Sequence, residues 1–183
     1  KNSSKSLTKK SVFLVSGGAR GVTAECVVKL AQTQPCSFIL LGRSNIEDEP
    51  EWAKGVGKDK TKLKQAAMKS MVDSGEKPTP AKVNQLVVKV EAGRDIRKNL
   101  ERIRNAGGNA EYVSADVTDV KKLKTAIAAV VKKIGPVTGI IHGAGVLADK
   151  LIEKKTSDDF DTVCSTKING IDALLKSIYP KKL

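Results

Sequence analysis

The amino-acid sequence predicts an α/β protein, a doubly wound parallel sheet with helices on both faces. Three observations carry that expectation. Short apolar, β-branched runs end abruptly in glycine turns, as where SVFLV (residues 11–15) meets SGGARG (residues 16–21). Runs that are apolar on both faces and bounded by such turns read as buried parallel strands. Between them apolar residues recur at helical spacing, and strand, turn, helix and second strand fit within about 30 residues, the length of a βαβ unit.

The elements follow in order. Residues 1–10 (KNSSKSLTKK) have no periodicity and read as a linker. After strand one, Val22, Cys26, Val27, Leu30 and Ala31 mark a helix that Pro35 ends. Residues 37–41 (SFILL) are strand two, stopped by Gly42. Roughly 70 residues then separate Gly42 from Ala110, far more than a crossover requires. Residues 59–73 form a lysine-rich helical stretch. Thr79 as cap and Pro80 in the first turn start a long helix that runs to Gly107-Gly108. Residues 45–78 read as an insertion at the sheet edge. Residues 110–115 are strand three, and residues 119–134 an amphipathic helix on Leu123, Ile127, Val130, Val131 and Ile134. Residues 137–141 (VTGII) are strand four, halted by HGAG. One long last helix presents Phe160, Val163, Cys164, Ile168, Ile171, Leu174, Leu175 and Ile178 on its inner face. Thr156 and Asp159 resemble a capping box, with Asp in place of the usual Glu.

Composition bounds the function. At 183 residues, 40% apolar and 29% charged, the chain suits one globular domain with its own core. No apolar run approaches the roughly 18 residues of a membrane span, and the basic, polar N-terminus does not read as a secretory signal. Cys26, Cys36 and Cys164 form no CxxC pair, which fits neither a disulfide framework nor a zinc site and suits the cytoplasm. The 33 Lys and Arg exceed the 20 Asp and Glu by 13. Residues 54–106 hold 14 basic and 6 acidic side chains, so most of the excess lies there. A lysine-rich solvated surface accounts for much of it; the remainder favours acidic or phosphorylated partners. Nucleic acid is not expected, because aromatic residues, which stack bases, are 3% of the chain.

The glycine string between strand one and its helix carries the first chemical signal. Gly17, Gly18 and Gly21 let backbone approach a pyrophosphate, which meets the free N–H groups of the helix start around Val22. The end of strand two decides which dinucleotide. An NAD site places an acid there, whereas LLGRS offers Arg43 and Ser44, with Arg20 in the glycine turn able to approach the same phosphate. The expected cofactor is NADPH.

Five motifs in register then carry a family resemblance: SGGARG, LLGRS, SADVTD, HGAGVLAD and STKING, after strands one to four and in the last helix. Over residues 11–178 the chain resembles a ketoreductase domain of polyketide or polyunsaturated fatty acid synthases, within the short-chain dehydrogenase/reductase superfamily. The run VSGGARGVTAECVVKLA is similar to the polyunsaturated fatty acid branch, and the insertion with Glu51-Trp52 resembles the long second crossover of these domains. The resemblance implies a Rossmann-like fold, the N-terminal part of a short-chain dehydrogenase/reductase with a helical insertion after strand two. It implies NADPH-dependent reduction of a β-ketoacyl thioester on an acyl carrier protein, alongside other domains of the same synthase. Asp116 and Val117 would contact the adenine, and Gly143, Ala144 and Gly145 would pass beneath the nicotinamide ribose. Lys167 would be catalytic, binding ribose hydroxyls and lowering the pKa of a tyrosine acid. Ala148 departs from the Leu-Asp-Asp motif of one stereochemical class. His142, the single histidine, reads as a loop residue that holds backbone geometry, and Thr23 stands where many dinucleotide turns carry a last glycine.

The family's serine and Tyr-x-x-x-Asn segments have no counterpart: Tyr112 lies in strand three, and Tyr179 has no Asn four residues on. The chain is therefore expected to be a ketoreductase fragment without turnover of its own. A non-catalytic dinucleotide-binding module is the alternative.

Overall fold

Residues 7–178 are described by the structure, a computed structural model; Tyr179 and most of the expected linker lie outside them. Four strands pair in parallel: β1 (Val12–Ser16), β2 (Ser37–Gly42), β3 (Asn109–Ser114) and β4 (Gly139–His142). Their order is β3-β2-β1-β4, with Val15 opposite Leu40 on one side and Ile141 on the other. The chain winds outward from β1 through β2 to β3, then returns past β1 to β4. Strand order thus reverses between β1 and β4, and there the turns after the two strands diverge. This is the doubly wound sheet that the sequence predicts.

Six α-helices accompany the strands: α1 (Gly21–Thr33), α2 (Lys60–Asp73), α3 (Pro80–Asn105), α4 (Val120–Ile134), α5 (Ser157–Cys164) and α6 (Gly170–Ser177). On one face of the sheet Val12, Leu14, Ile39, Leu41 and Val113 pack with Leu123 and Ile127 of α4 and Ala173 and Leu174 of α6. Val15, Phe38 and Leu40 alternate to the other face and are also buried. Burial on both faces explains why these strands read as continuous apolar runs.

Two compact units divide the chain, residues 1–43 with 98–183, and residues 44–97. The first contains the sheet. The second has a core of its own, in which Ala53, Leu63, Ala67 and Met71 pack with Val83, Val87 and Val90. Asp59 caps α2 by accepting from the Thr61 and Lys62 amides, and Thr79 accepts from Lys82 at the start of α3. The Arg94 guanidinium donates to the carbonyls of Ala53, Val56 and Gly57 and pairs with Glu49. That pairing, led by the hydrogen bond from Arg94, holds the Glu49 carboxyl below its usual range.

Two sequence expectations are corrected. In α1 the buried stripe is Ala24, Val27, Val28 and Ala31, whereas Val22 is 82% exposed and Cys26 is exposed. The small Ala24 and β-branched Val28 suit close approach to the sheet, and Val22 stands on the first turn. The last helix is not one α-helix. A π-turn over Ser165–Asn169 separates α5 from α6. The extra residue puts α6 out of phase with α5, so no single inner face runs through both: Leu174 is buried in α6, while Phe160 in α5 and Ile168 in the π-turn are 61% and 65% exposed and Leu175 is exposed. The capping box of Thr156 and Asp159 is present at the start of α5.

Candidate functional site

The carboxyl ends of β1 and β4 bring three segments together. The first is the glycine turn. Gly17 and Gly21 take φ of +68° and +63°, where an L side chain is strained. Gly18 sits against strand side chains, since a Cβ there would lie 2.5 Å from Val15 Cγ1. Nothing lies within 4 Å of the Cβ position at Gly21, which opens the start of α1 to the outside. Ala19 is buried, and its carbonyl accepts a 3.0 Å bond from Asn99 Nδ2 in the last turns of α3. Arg102 donates to the Asn99 side-chain oxygen and to both oxygens of Glu25 on α1. Arg20 is exposed, adjoining the helix start.

The second segment is the turn after β4. The Gly143 amide donates to the Ser16 carbonyl at 3.0 Å, and the Ala144 amide to Ser16 Oγ at 3.2 Å. A Cβ on Gly17 would lie 2.9 Å from the Ala144 nitrogen, so only glycine lets these two turns touch. A Cβ on Gly143 would meet Thr23 Oγ1 at 2.4 Å. The close approach that a glycine at position 23 would allow is thus supplied from the facing turn.

The third segment is the π-turn. Lys167 projects over Gly145: a Cβ there would lie 3.3 Å from Lys167 Cε and 3.4 Å from Nζ. His142 joins the segments. Its Nδ1 is 2.6 Å from Ser16 Oγ, and its Nε2 is 3.1 Å from both the Thr166 and Lys167 carbonyl oxygens. Gly170 gives the ring room, since a Cβ there would sit 3.0 Å from His142 Cε1 and 3.2 Å from Val117 Cγ1.

Further along the sheet, Arg43 follows β2 and is exposed, with its carbonyl accepting from Ser114. Asp116 Oδ1 accepts from the Thr118 amide and hydroxyl at 2.8 and 2.7 Å. These bonds, foremost the one from the hydroxyl, hold the Asp116 carboxyl below its usual range, and the charges of Arg43 and Lys122 add to the effect. Val117 is buried beneath it. Tyr112 stands on β3, the edge of the sheet opposite β4.

The structure therefore brings Gly17, Gly143, Ala144, Gly145 and Lys167 into one cluster at the switch point. Arg43 and Asp116 lie at the ends of the neighbouring strands. Ser44 begins the other unit. Sequence reasoning missed Ser16, Asn99 and Gly170. The first two are the buried polar residues among those described. Their signal was a hydroxyl ending an otherwise apolar strand and an amide within the buried stripe of a long helix. Among the described residues no His, Cys, Asp and Glu cluster fits a metal, and no helix is long and apolar enough to cross a membrane.

Fold and site together define a Rossmann-like α/β protein with a glycine cradle at the switch point of its sheet. The family profile described as KR domain matches residues 11–183. Over 179 residues the chain is 39% identical to a polyunsaturated fatty acid synthase polypeptide from Thraustochytrium sp., covering 94% of this chain and 6% of that protein. Its fold matches an N-terminal ketoreductase from a macrolactin assembly line, with TM-score 0.63 and 24% identity over 94% of this chain and 26% of that one. It also matches a short-chain dehydrogenase from Mycobacterium paratuberculosis bound to NAD, with TM-score 0.62 and 16% identity, covering 96% and 51%. The chain belongs to the KR domain family, the ketoreductase domains of polyketide and polyunsaturated fatty acid synthases. It spans about half or less of the length of each of these proteins.

Proposed function

We propose that this chain forms the NADPH-binding part of a ketoreductase domain in a multidomain fatty acid or polyketide synthase. There it serves reduction of a β-ketoacyl thioester on an acyl carrier protein to the β-hydroxyacyl form. The observation that carries this reading is the convergence of Gly17, Ala144, Gly145 and Lys167 at the switch point of the sheet. The glycine positions form a cradle that a Cβ would fill, beside an open helix start, and the family relationship supports the reaction class.

In this reading the residues have separate tasks. Gly17, Gly18, Gly21 and Val22 admit a pyrophosphate to the start of α1, where free amides favour anions. Arg43, with Ser44 and Arg20, receives the 2′-phosphate, because a guanidinium fork suits phosphate and no acid at the end of β2 repels it. Asp116 holds the adenine amino group with the carboxylate that Thr118 orients, and Val117 packs beside the base. Gly143, Ala144 and Gly145 pass under the nicotinamide ribose. Lys167 binds ribose hydroxyls, and its charge lowers the pKa of a tyrosine acid. Bound NADPH supplies the hydride. The developing alkoxide also needs a proton and hydrogen bonds. Tyr112, at the far edge of the sheet, is not placed to give them.

Separate titrations of NADPH and NADH, followed by nucleotide fluorescence, test the site. NADPH is expected to bind more tightly, and Arg43→Asp to weaken it by roughly tenfold or more while leaving NADH little changed, the scale of a charge-assisted bond. Turnover by the 183-residue chain is expected to be undetectable. Equal affinities for the two nucleotides, or an Arg43→Asp variant that binds NADPH as before, would remove the phosphate assignment.

A further inference from the structure

The π-turn that carries Lys167 leaves a backbone acceptor to be satisfied. In an uninterrupted α-helix the Gly170 amide would donate to the carbonyl four residues back, that of Thr166. Here it donates to Ser165 and Lys167 instead. The Thr166 carbonyl thereby loses its helical donor, and His142 Nε2 lies 3.1 Å from it. A second contact of the same length reaches the Lys167 carbonyl.

Both of those oxygens can only accept, so Nε2 must carry a hydrogen. At the other end of the ring, Ser16 Oγ already accepts from the Ala144 amide and lies 2.6 Å from Nδ1. The hydroxyl completes its bonding by donating its own proton to Nδ1, which is then an acceptor. The described residues give the hydroxyl proton no other acceptor, so the arrangement that uses every donor is an imidazole with its proton on Nε2 and none on Nδ1. The path runs from the Ala144 amide through Ser16 and His142 to the Thr166 and Lys167 carbonyls. Gly170 is what lets the ring sit there.

We propose that His142 is a positioning residue, a neutral imidazole that replaces the lost helix bond and fixes the π-turn, and with it Lys167, over the turn at residues 143–145. This rests on the proposed function, in which Lys167 binds nucleotide. His142 itself touches no reacting atom. Its ring orients the backbone of Lys167 in the way that an outer hydrogen-bond partner orients a ligating side chain.

A single histidine makes the test direct, because nitrogen-15 labelling of histidine gives one pair of ring signals. The whole chain at neutral pH is expected to show a fixed Nε2–H tautomer with an unprotonated Nδ1, and Ser16→Ala is expected to loosen that preference. Nδ1 protonation, or averaging between tautomers as in a free imidazole, overturns the proposal. Two substitutions separate the ends of the ring. In His142→Gln the amide reaches where Nε2 lies and keeps the donor, whereas His142→Asn keeps only an acceptor near Nδ1. NADPH affinity is expected to fall by about three- to tenfold in the Asn variant, the scale of one hydrogen bond, and to recover in part in the Gln variant. Lys167→Ala should cost less in the His142→Asn background than in the parent. Additive losses overturn the proposal. Should Lys167→Ala alone leave affinity unchanged while the tautomer stays fixed, the nucleotide role of Lys167 fails and the structural path stands.

Discussion

Thr23 and Gly143 show how a single side chain can be moved across a contact without loss of fit. A methyl on Gly143 would lie 2.4 Å from Thr23 Oγ1 and 3.0 Å from its Cβ, closer than real Cβ atoms approach. Gly143→Ala is therefore expected to destabilise by about 1–3 kcal/mol through overpacking. Thr23→Gly should relieve it, because it empties the space at the cost of about 1 kcal/mol for a glycine in the helix. Urea denaturation of the two single variants and the double variant checks this: the double should be more stable than Gly143→Ala alone. Additive losses would mean that the two residues do not share the space. At this scale the sequence is legible where a residue type has one use. Gly17 and Arg43 could be placed at the ends of their strands from the apolar runs that precede them. His142 was expected in the turn after strand four but is the last residue of β4, and it could not be joined to Ser16 and Thr166, because both partners depend on a sheet register and a π-turn that spacing does not encode.

Element boundaries were readable wherever a cap or glycine marks them. Asp59 and Thr79 cap their helices by accepting backbone amides. The last helix defeated periodicity because a π-turn inserts one residue without changing composition, so the apolar pattern loses phase after Ser165. Val22 and Cys26 misled for a different reason: Val22 stands on the first turn of α1 and Cys26 on its outward face, while Ala24, Val27, Val28 and Ala31 turn inward. The start of α5 allows a pH test. Asp159 is held down to about 2, first by the hydrogen bond from Lys150 and then by the Thr156 amide and hydroxyl. An acid whose folded value is depressed adds stability above its unfolded value, near 4, and that stability is lost as pH falls toward 2. Unfolding followed between pH 5 and 2 should show this loss, and Asp159→Asn should shrink its share. Thr156→Ala, which removes the cap at every pH, should cost about 1 kcal/mol.

Across the whole molecule, charge is unevenly distributed, and that was plain from composition. What composition could not say is which lysines are already engaged. Lys54 pairs with Glu51 and Lys60 with Glu91. Lys58, Lys62, Lys64 and Lys69 are exposed and pair with no carboxylate among the described residues. They belong to the unit of residues 44–97, whose core is separate from that of the sheet. Their uncompensated charge is available for long-range attraction, which acts on encounter more than on the chemistry. In the proposed function the substrate arrives on an acyl carrier protein, and the steering it would receive depends on the carrier's charge. Reversing these four lysines to glutamate in the intact synthase is therefore expected to lower kcat/KM for a carrier-bound β-ketoacyl substrate. A small, uncharged thioester should be reduced as before. Added salt should slow the parent enzyme on the carrier substrate and leave the reversed variant little changed, because screening removes the same attraction. Equal loss on both substrates would instead place the lysines' contribution in stability or in the nucleotide site, and no loss on either would leave this charge as a solvated surface.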